Sequence, residues 1–483
     1  MNRRSRSLVL IAGGGAAVLA LTGCRAALAP TNPVTAASFT INQIAAQPGA
    51  AFTVVGQVVG GVKDKEIVSS SFNFSPPVGG PPSPLPGTVT MYSNTGGTWN
   101  PTTVVPTSAG ITSPNEPTIA DVNRDGRNDI IVPSGYFFSV ASNLPTGSIT
   151  WWENNGDGTF TRHDVITGIK GAYHRAIYVD FDNDGKKDIV TSYEDGGFPA
   201  WPFAGPPIAP QTRLEFFKGD GAGNFAAPVK LADGAGSLPV VFDINGDGKL
   251  DVATAQYWKT KTNPIPPFGI GNESFVWYEQ GSDGVAGLTN ADFTKHIIAT
   301  GLGESFQILP VDNIDGTGRY GAIGVNHTNP ALGPPGSTAT PQVVRLTPGA
   351  DVTQPWTVSQ VATFTPNDSR PGQAAPGSTS DGDVDGDGDV DLVTAGDSDW
   401  GVYWLERKGD GSWVKHNLAT EFGIPGTNWG QASTAIADLD SNGTNEIVFS
   451  SYNAGGVFVA TRVAGTGGSF PASPHIPDPL LRY

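Results

Sequence analysis

The sequence predicts an all-β fold: a ring of seven blades, each of four strands, closed by a strand from the N-terminus. Three observations predict it. First, a nine-residue acidic phrase recurs: DVNRDGRND from Asp121, DFDNDGKKD from Asp180, DINGDGKLD from Asp243, DVDGDGDVD from Asp383 and DLDSNGTNE from Asp438. Second, each copy runs into a short β-branched or apolar stretch such as Ile130-Ile131-Val132 or Ile447-Val448-Phe449, the composition of a buried strand. Third, degenerate copies at Val58–Glu66 and Asn313–Gly318 bring the starts to 58, 121, 180, 243, 313, 383 and 438, so successive starts lie 55–70 residues apart. Self-similarity at that period marks a repeat architecture.

Each repeat parses into four strands. In the second, strand a is Thr118-Ile119-Ala120 and leads into the acidic loop. Strand b leaves it at Asp129–Val132. Strand c is the aromatic Ile149–Glu153, and a Gly/Asp turn leads to strand d, Phe160–His163. Four-stranded units repeated about an axis make a β-propeller, which leaves only short protected edges. The seventh repeat has strand b (Glu446–Ser451) and strand c (Gly456–Arg462) but no good strand d. ASFTINQIAAQPGAAFTVV from Ala37 aligns with ADFTKHIIATGLGESFQIL from Ala291, a strand d running into the next strand a. Residues 37–45 therefore read as an orphan strand d that completes the last blade.

The acidic loop has oxygen side chains at positions 1, 3, 5 and 9 and Gly at position 6. Converging carboxylate and amide oxygens with a Gly turn suit a hard cation. Asp-Gly and Asn-Gly pairs also make tight turns without metal, but a turn needs only one or two such residues. An EF-hand needs Glu at position 12 followed by a helix; here Val132, Thr191, Thr254 and Thr394 stand there, before strands.

Bulk composition narrows the function classes. The chain of 483 residues carries 64 Gly and 40 Pro, as a turn-rich all-β protein does. Its net charge of −17 argues against nucleic-acid binding, which needs clustered Lys and Arg. At the N-terminus, Arg3, Arg4 and Arg6 precede an apolar stretch from Leu8 to Leu21 that is too short and too rich in small residues to read as a membrane span. It ends Leu21-Thr22-Gly23-Cys24, which resembles the lipobox of bacterial lipoproteins, and Cys24 is the only cysteine. The expected organisation is a signal peptide (1–23), a lipidated Cys24 with tether (24–36), the propeller (37–463) and a tail (464–483). The expected location is the bacterial cell envelope, lipid-anchored, with the outer membrane or cell surface favoured.

The phrase D-x-[DN]-x-D-G-x-x-D before an apolar strand, with continuations like WWENNGDGTFTRH, resembles the FG-GAP/VCBS repeats of integrin α subunits and bacterial surface proteins. The resemblance implies a propeller whose a–b loops bind Ca2+ on the face opposite the ligand surface. Carried onto this chain, the ligands are Asp121, Asn123, Asp125 and Asp129; Asp180, Asp182, Asp184 and Asp188; Asp243, Asn245, Asp247 and Asp251; Asp383, Asp385, Asp387 and Asp391; and Asp438, Asp440, Asn442 and Glu446. The copies at 58 and 313 lack this set and are expected to hold no metal. The role implied for calcium is mainly structural.

Function is expected on the other face, where b–c and d–a loops vary. Blades 1 to 5 carry long Pro-rich b–c insertions there, and exposed loops on a rigid scaffold are common binding sites. The candidates are Tyr193, Trp201, Tyr257, Trp258, Trp400 and Tyr452 from b–c loops, Tyr173, His174, Arg175 and Trp429 from d–a loops, and the irregular His327. His163, His296 and His416 recur at one strand-d position, which argues for packing. No nucleophile elbow, phosphate loop, H-E-x-x-H or dinucleotide fingerprint stands out. The reading is a non-enzymatic binding or adhesion module for a protein or glycan. A polysaccharide lyase or hydrolase acting through Tyr173, His174 and Arg175 is the alternative, and a purely structural envelope protein the third.

Overall fold

A computed structural model describes residues 39–59, 65–74, 84–135, 145–195, 211–257, 272–281, 287–312, 320–327, 340–364, 375–397, 401–418 and 433–463. The expected signal segment, Cys24, the tail, the loop copy at 313 and most of the Pro-rich insertions lie outside these residues. No helix among the described residues is long and apolar enough to cross a membrane.

The chain opens with β1 (Phe39–Ala46), then builds six blades in sequence. Blade 1 is β2 (Ala50–Gly56), β3 (Glu66–Phe74), β4 (Pro84–Thr95) and β5 (Thr98–Val105). Blade 2 is β6 (Thr118–Ala120), β7 (Asp129–Ser134), β8 (Gly147–Asn154) and β9 (Phe160–Ile169). Blade 3 is β10 (Ala172–Val179), β11 (Asp188–Asp195), β12 (Gln211–Phe217) and β13 (Val229–Asp233). Blade 4 is β14 (Val240–Phe242), β15 (Asp251–Ala255), β16 (Glu273–Gln280) and β17 (Phe293–Thr300). Blade 5 is β18 (Ser305–Asp312), β19 (Tyr320–Asn326), β20 (Gln342–Thr347) and β21 (Thr357–Thr363). Blade 6 is β22 (Ala375–Gly382), β23 (Asp391–Asp397), β24 (Val402–Arg407) and β25 (Trp413–Asn417). Blade 7 takes β26 (Thr434–Ala437), β27 (Glu446–Ser451) and β28 (Gly456–Arg462), and β1 is its outer strand.

All seven sheets are four-stranded meanders with antiparallel neighbours. The orphan strand is where the sequence predicts it: β1 pairs antiparallel with β28, Phe39 against Arg462 and Ala46 against Gly456. Phe39 also meets Trp404 of blade 6 edge-to-face at 5.6 Å, so the closing strand is held by two blades. Phe39 thus lies on the a–b loop side of the ring.

The core is a set of layers between blades. Val122, Ile131 and Trp151 of blade 2 pack on Tyr173, Tyr178 and Phe217 of blade 3. Blade 7 packs on blade 1 through Leu439, Val448, Val457, Ala50, Ile67 and Tyr92, so the joint between the chain's two ends is filled like the others. Two glycines set the closeness at the inner strands. A Cβ on Gly56 would lie 2.9 Å from Ile119 Cδ1, and one on Gly382 would lie 2.7 Å from Ile436 Cγ2. Interiors packed to crystal-like density leave no room for either.

Candidate functional site

The a–b loop is shaped by its own carboxylates. At position 1, Asp121 Oδ1 accepts the Asp125 N–H at 3.0 Å and Oδ2 the Gly126 N–H at 2.9 Å. Asp180 does the same with Asp184 and Gly185, and Asp438 with Asn442 and Gly443. Asp243 and Asp383 reach Gly248 and Gly388. At position 5, Asp125, Asp184, Asp247, Asp387 and Asn442 each accept the N–H two residues on, the Asx turn that Asp and Asn favour. Position 6 is glycine at positive φ in all five loops, 84–93°. Position 4 is also left-handed, and there Arg124, Asn183 and Ser441 adopt φ of 57–62°.

Position 9 does something the spacing alone does not disclose. Asp129, Asp188, Asp251, Asp391 and Glu446 are buried at the start of strand b. One oxygen accepts the N–H of position 2: Val122, Phe181, Ile244, Val384 or Leu439, at 3.0–3.1 Å. In blades 2, 3, 4 and 6 the other accepts an N–H at the end of strand c: Asn154, Gly219, Gln280 or Arg407, at 2.8–2.9 Å. The carboxylate ties the a–b loop to the c–d turn. Blade 1 keeps the loop half of this arrangement although positions 1, 3 and 5 carry no acid, because Glu66 Oε2 accepts the N–H groups of Val58 and Val59.

The remaining oxygens converge. Ligand atoms of Asp180, Asp182 and Asp188 lie within 4.8 Å of one another, as do those of Asp383, Asp385 and Asp391, and of Asp438, Asp440 and Glu446. In blades 2 and 4, position 3 is Asn123 or Asn245, so each loop offers two acids and an amide there. Burial pushes the position-9 carboxyls up: Asp129 to about 6, Asp188 and Asp251 to about 7, Asp391 to about 8 and Glu446 to about 7. Asp385 is pushed up to about 7 by burial, with Asp387 and Glu406 adding to it. Asp182 is 2% exposed, and its buried Oδ1 has no hydrogen-bond partner. A donor set made only of carboxylate and amide oxygens, with buried charge to be offset, fits a hard divalent cation.

Strand c and strand d support position 3. In blade 2, Asn123 Nδ2 donates to Glu153 Oε1 at 3.1 Å, while His163 Nε2 lies 2.9 Å from Glu153 Oε2 and its ring stacks on Trp151 at 4.1 Å. Blade 4 repeats this with Asn245, Glu279, His296 and Trp277, and blade 6 with Asp385, Glu406, His416 and Trp404. The three recurring histidines are thus packing and bracing residues, as their repeat position predicts. Blade 3 has Lys218 at the glutamate position, and its ammonium contacts Asp182 and lies 2.9 Å from Asp184. At position 5, Arg127 contacts Asp125, and Lys249 lies 2.8 Å from Asp247.

The candidates for the opposite face stand differently from a set of open binding residues. Tyr173, His174 and Arg175 lie inside β10 and are buried, each facing a carboxylate. Tyr173 Oη donates to Glu215 at 2.6 Å, and burial raises its pKa far above the ordinary phenol value. His174 Nδ1 lies 2.8 Å from Glu194, whose other oxygen accepts from Ser237 Oγ at 2.8 Å. Arg175 forms a two-pronged pair with Glu116 at 2.8 and 2.9 Å. The His174 ring meets Phe306 of blade 5 at 6.1 Å, and Phe306 lies 5.3 Å from His327, which is 5.9 Å from Tyr257. Tyr193 is buried under the Arg213 guanidinium, 3.7 Å from its ring centre. Tyr452 is half-buried, in a turn of blade 7. Trp201, Trp258, Trp400 and Trp429 lie outside the described residues.

A family profile described as FG-GAP-like repeat matches residues 137–191 and 383–449, spans that contain the acidic loops from Asp180, Asp383 and Asp438. This chain carries FG-GAP-like repeats. No curated protein matches the chain in sequence. Among solved structures, it is similar to an Agrocybe aegerita lectin that recognises non-reducing terminal N-acetylglucosamine, at 14% identity and a TM-score of 0.41 over 84% of this chain and 87% of the lectin. It is also similar to a rhamnogalacturonan lyase of Bacillus licheniformis, at 14% identity and a TM-score of 0.35 over 89% of this chain and 93% of the lyase. A third is the Dos1 propeller, at 9% identity and a TM-score of 0.43 over 90% of this chain and 97% of that one. Likenesses this distant carry no functional argument.

Proposed function

We propose that the protein is a calcium-pinned propeller serving as a non-enzymatic binding module for a glycan or protein, held at the cell envelope through a lipid on Cys24. Calcium would sit in the five full a–b loops and hold their buried carboxylates ionised. Asp121, Asp180, Asp243, Asp383 and Asp438, with positions 3, 5 and 9 of each loop, would supply the oxygens. The cation would stiffen the loop, and the position-9 carboxylate ties that loop to the rest of its blade.

The observation that carries binding over catalysis is the burial of the acid–base candidates. Tyr173, His174 and Arg175 are each held by a carboxylate within the packed ring. Ser237 donates to Glu194 rather than to His174, so it is not set up as a nucleophile by a histidine base. Incubation of the mature chain with a polysaccharide panel and envelope extracts, scoring retention and product release together, tests the reading. Retention without release is the expected result. Oligosaccharide release would establish the enzymatic alternative, and no retention of glycan or protein would leave a purely structural role.

A further inference from the structure

We propose that the crevice between the last and first blades is a binding groove for a neutral glycan chain. This rests on the binding-module reading and names its ligand class. The groove is open along one side and has a volume of about 930 Å³, toward the upper end of the ~300–1,000 Å³ range of ligand pockets. It runs from the turn at Tyr452 and Asn453, past the end of β3, along the faces of β4 and β5. It opens on the b–c and d–a side of the ring, away from the acidic loops.

Two features of the lining select the ligand. The first is an aromatic series that crosses the seam. Phe72 meets Phe74 at 6.4 Å and Phe74 of blade 1 meets Tyr452 of blade 7 at 6.3 Å, both edge-to-face, and Phe52 backs Phe72 from outside the lining at 6.2 Å. Trp99 adds a further ring to the lining. The second is charge. The chain has 45 acids and 28 Lys or Arg, yet none of the lining residues among those described is charged. The polar groups are amides and hydroxyls, with Asn73, Thr103 and Asn453 exposed to solvent. Aromatic surfaces pack the C–H faces of sugar rings, and amides and hydroxyls exchange hydrogen bonds with sugar hydroxyls. With no cation to pair a uronate or phosphate and no carboxylate to pair an amine, the groove matches an uncharged hydroxyl-rich chain. A peptide added as a strand would need free main-chain partners. Phe74 and Thr90 lie within the paired ladder of β3 and β4 instead, and the Phe72 N–H is taken by Gly49 O.

The walls are preorganised. Gln47 is buried between Ser69 O, to which its Nε2 donates, and Tyr92 Oη, which donates to its Oε1. Gly49 has φ of +75°, and a Cβ there would lie 2.0 Å from Phe72 O, so the connection from β1 to β2 lies directly on the end of β3. A groove that needs no rearrangement loses little affinity to ordering.

The test is affinity gel electrophoresis of the mature chain in neutral glucan, mannan, galactan and soluble chitin derivatives, with polygalacturonate and alginate as charged counterparts. The variants are Tyr452→Ala, Asn453→Ala and Thr103→Arg, and an unchanged unfolding temperature certifies folding; the last two change exposed residues. Retardation by a neutral glycan, weakened at least tenfold in folded Tyr452→Ala and Thr103→Arg, is the expected result. Neutral-glycan binding that all three variants retain would overturn the groove while leaving the binding module standing. Retardation only by the polyanions would overturn the ligand class. No retardation by any polysaccharide would overturn the inference, and capture of an envelope protein in the same preparation would show that the binding-module reading survives it.

Discussion

At the scale of single residues, the loop carboxylates divide into two kinds. Position 9 is buried and bonds two backbone N–H groups in most blades; position 5 is nearer the surface and bonds one within its own loop. Asp251→Ala strands the N–H groups of Ile244 and Gln280. Each buried orphan costs about 1–3 kcal/mol, so this variant should lose ~2–6 kcal/mol by urea unfolding in chelator, and more in calcium because it also removes a proposed ligand. Asp247→Ala should lower stability only in calcium. Equal losses for Asp247→Ala in both conditions would count against the metal. The buried carboxyls also set a pH dependence. Their folded pKa values are raised, so they favour the fold below the ordinary carboxylate range and lose that contribution as pH climbs through about 6–8. In chelator, the urea midpoint should therefore fall between about pH 5 and pH 8. Calcium should abolish the fall by favouring the ionised form. A midpoint in chelator that rises across this window would contradict it. The carboxyls with lowered values, such as Asp157, Asp184 and Asp247, act below the window. The positions of the loop oxygens were legible in the sequence. The backbone partners of position 9 were not, because Asp251 and Gln280 meet only once strands b and c pair.

At the scale of elements, strands a, b and c announce themselves through period and apolar runs, and the orphan strand through its likeness to Ala291–Leu309. Its removal is the sharpest element-level test. Deleting residues through Ala46 takes the outer strand from blade 7 and uncovers the outer edge of β28. It also removes Phe39 from Trp404. An exposed strand edge templates association, so the truncated chain is expected to aggregate at concentrations where the mature chain stays monodisperse by light scattering. A monodisperse truncation with unchanged unfolding would overturn the closure. The bracing of position 3 was hidden in the sequence: Glu153 and His163 are 10 apart but Glu279 and His296 are 17 apart, so no fixed spacing links them.

At the scale of the whole molecule, the seven inter-blade layers make the ring rigid, and side chains of the acidic loops lace one face together. Arg124 donates to Gly185 O of the next loop, Asn128 to Gln57 O of the preceding blade, and Asn445 to Asp383 O. The opposite face was the least legible part. Tyr173, His174 and Arg175 look like loop residues because they follow Gly168 and Gly171, yet carboxylates up to 59 residues away draw them into the packed ring. The groove at Tyr452 was equally hidden, since its walls come from the chain's two ends. Calcium in the acidic loops is the expectation on which the rest depends, and equilibrium dialysis of the mature chain, counting bound calcium against free, tests it most directly. Binding that approaches one ion for each of the five full loops, saturating over the range in which unfolding temperature rises, is the predicted result. No bound calcium at millimolar free concentration, about the upper end for extracellular modules, would contradict it.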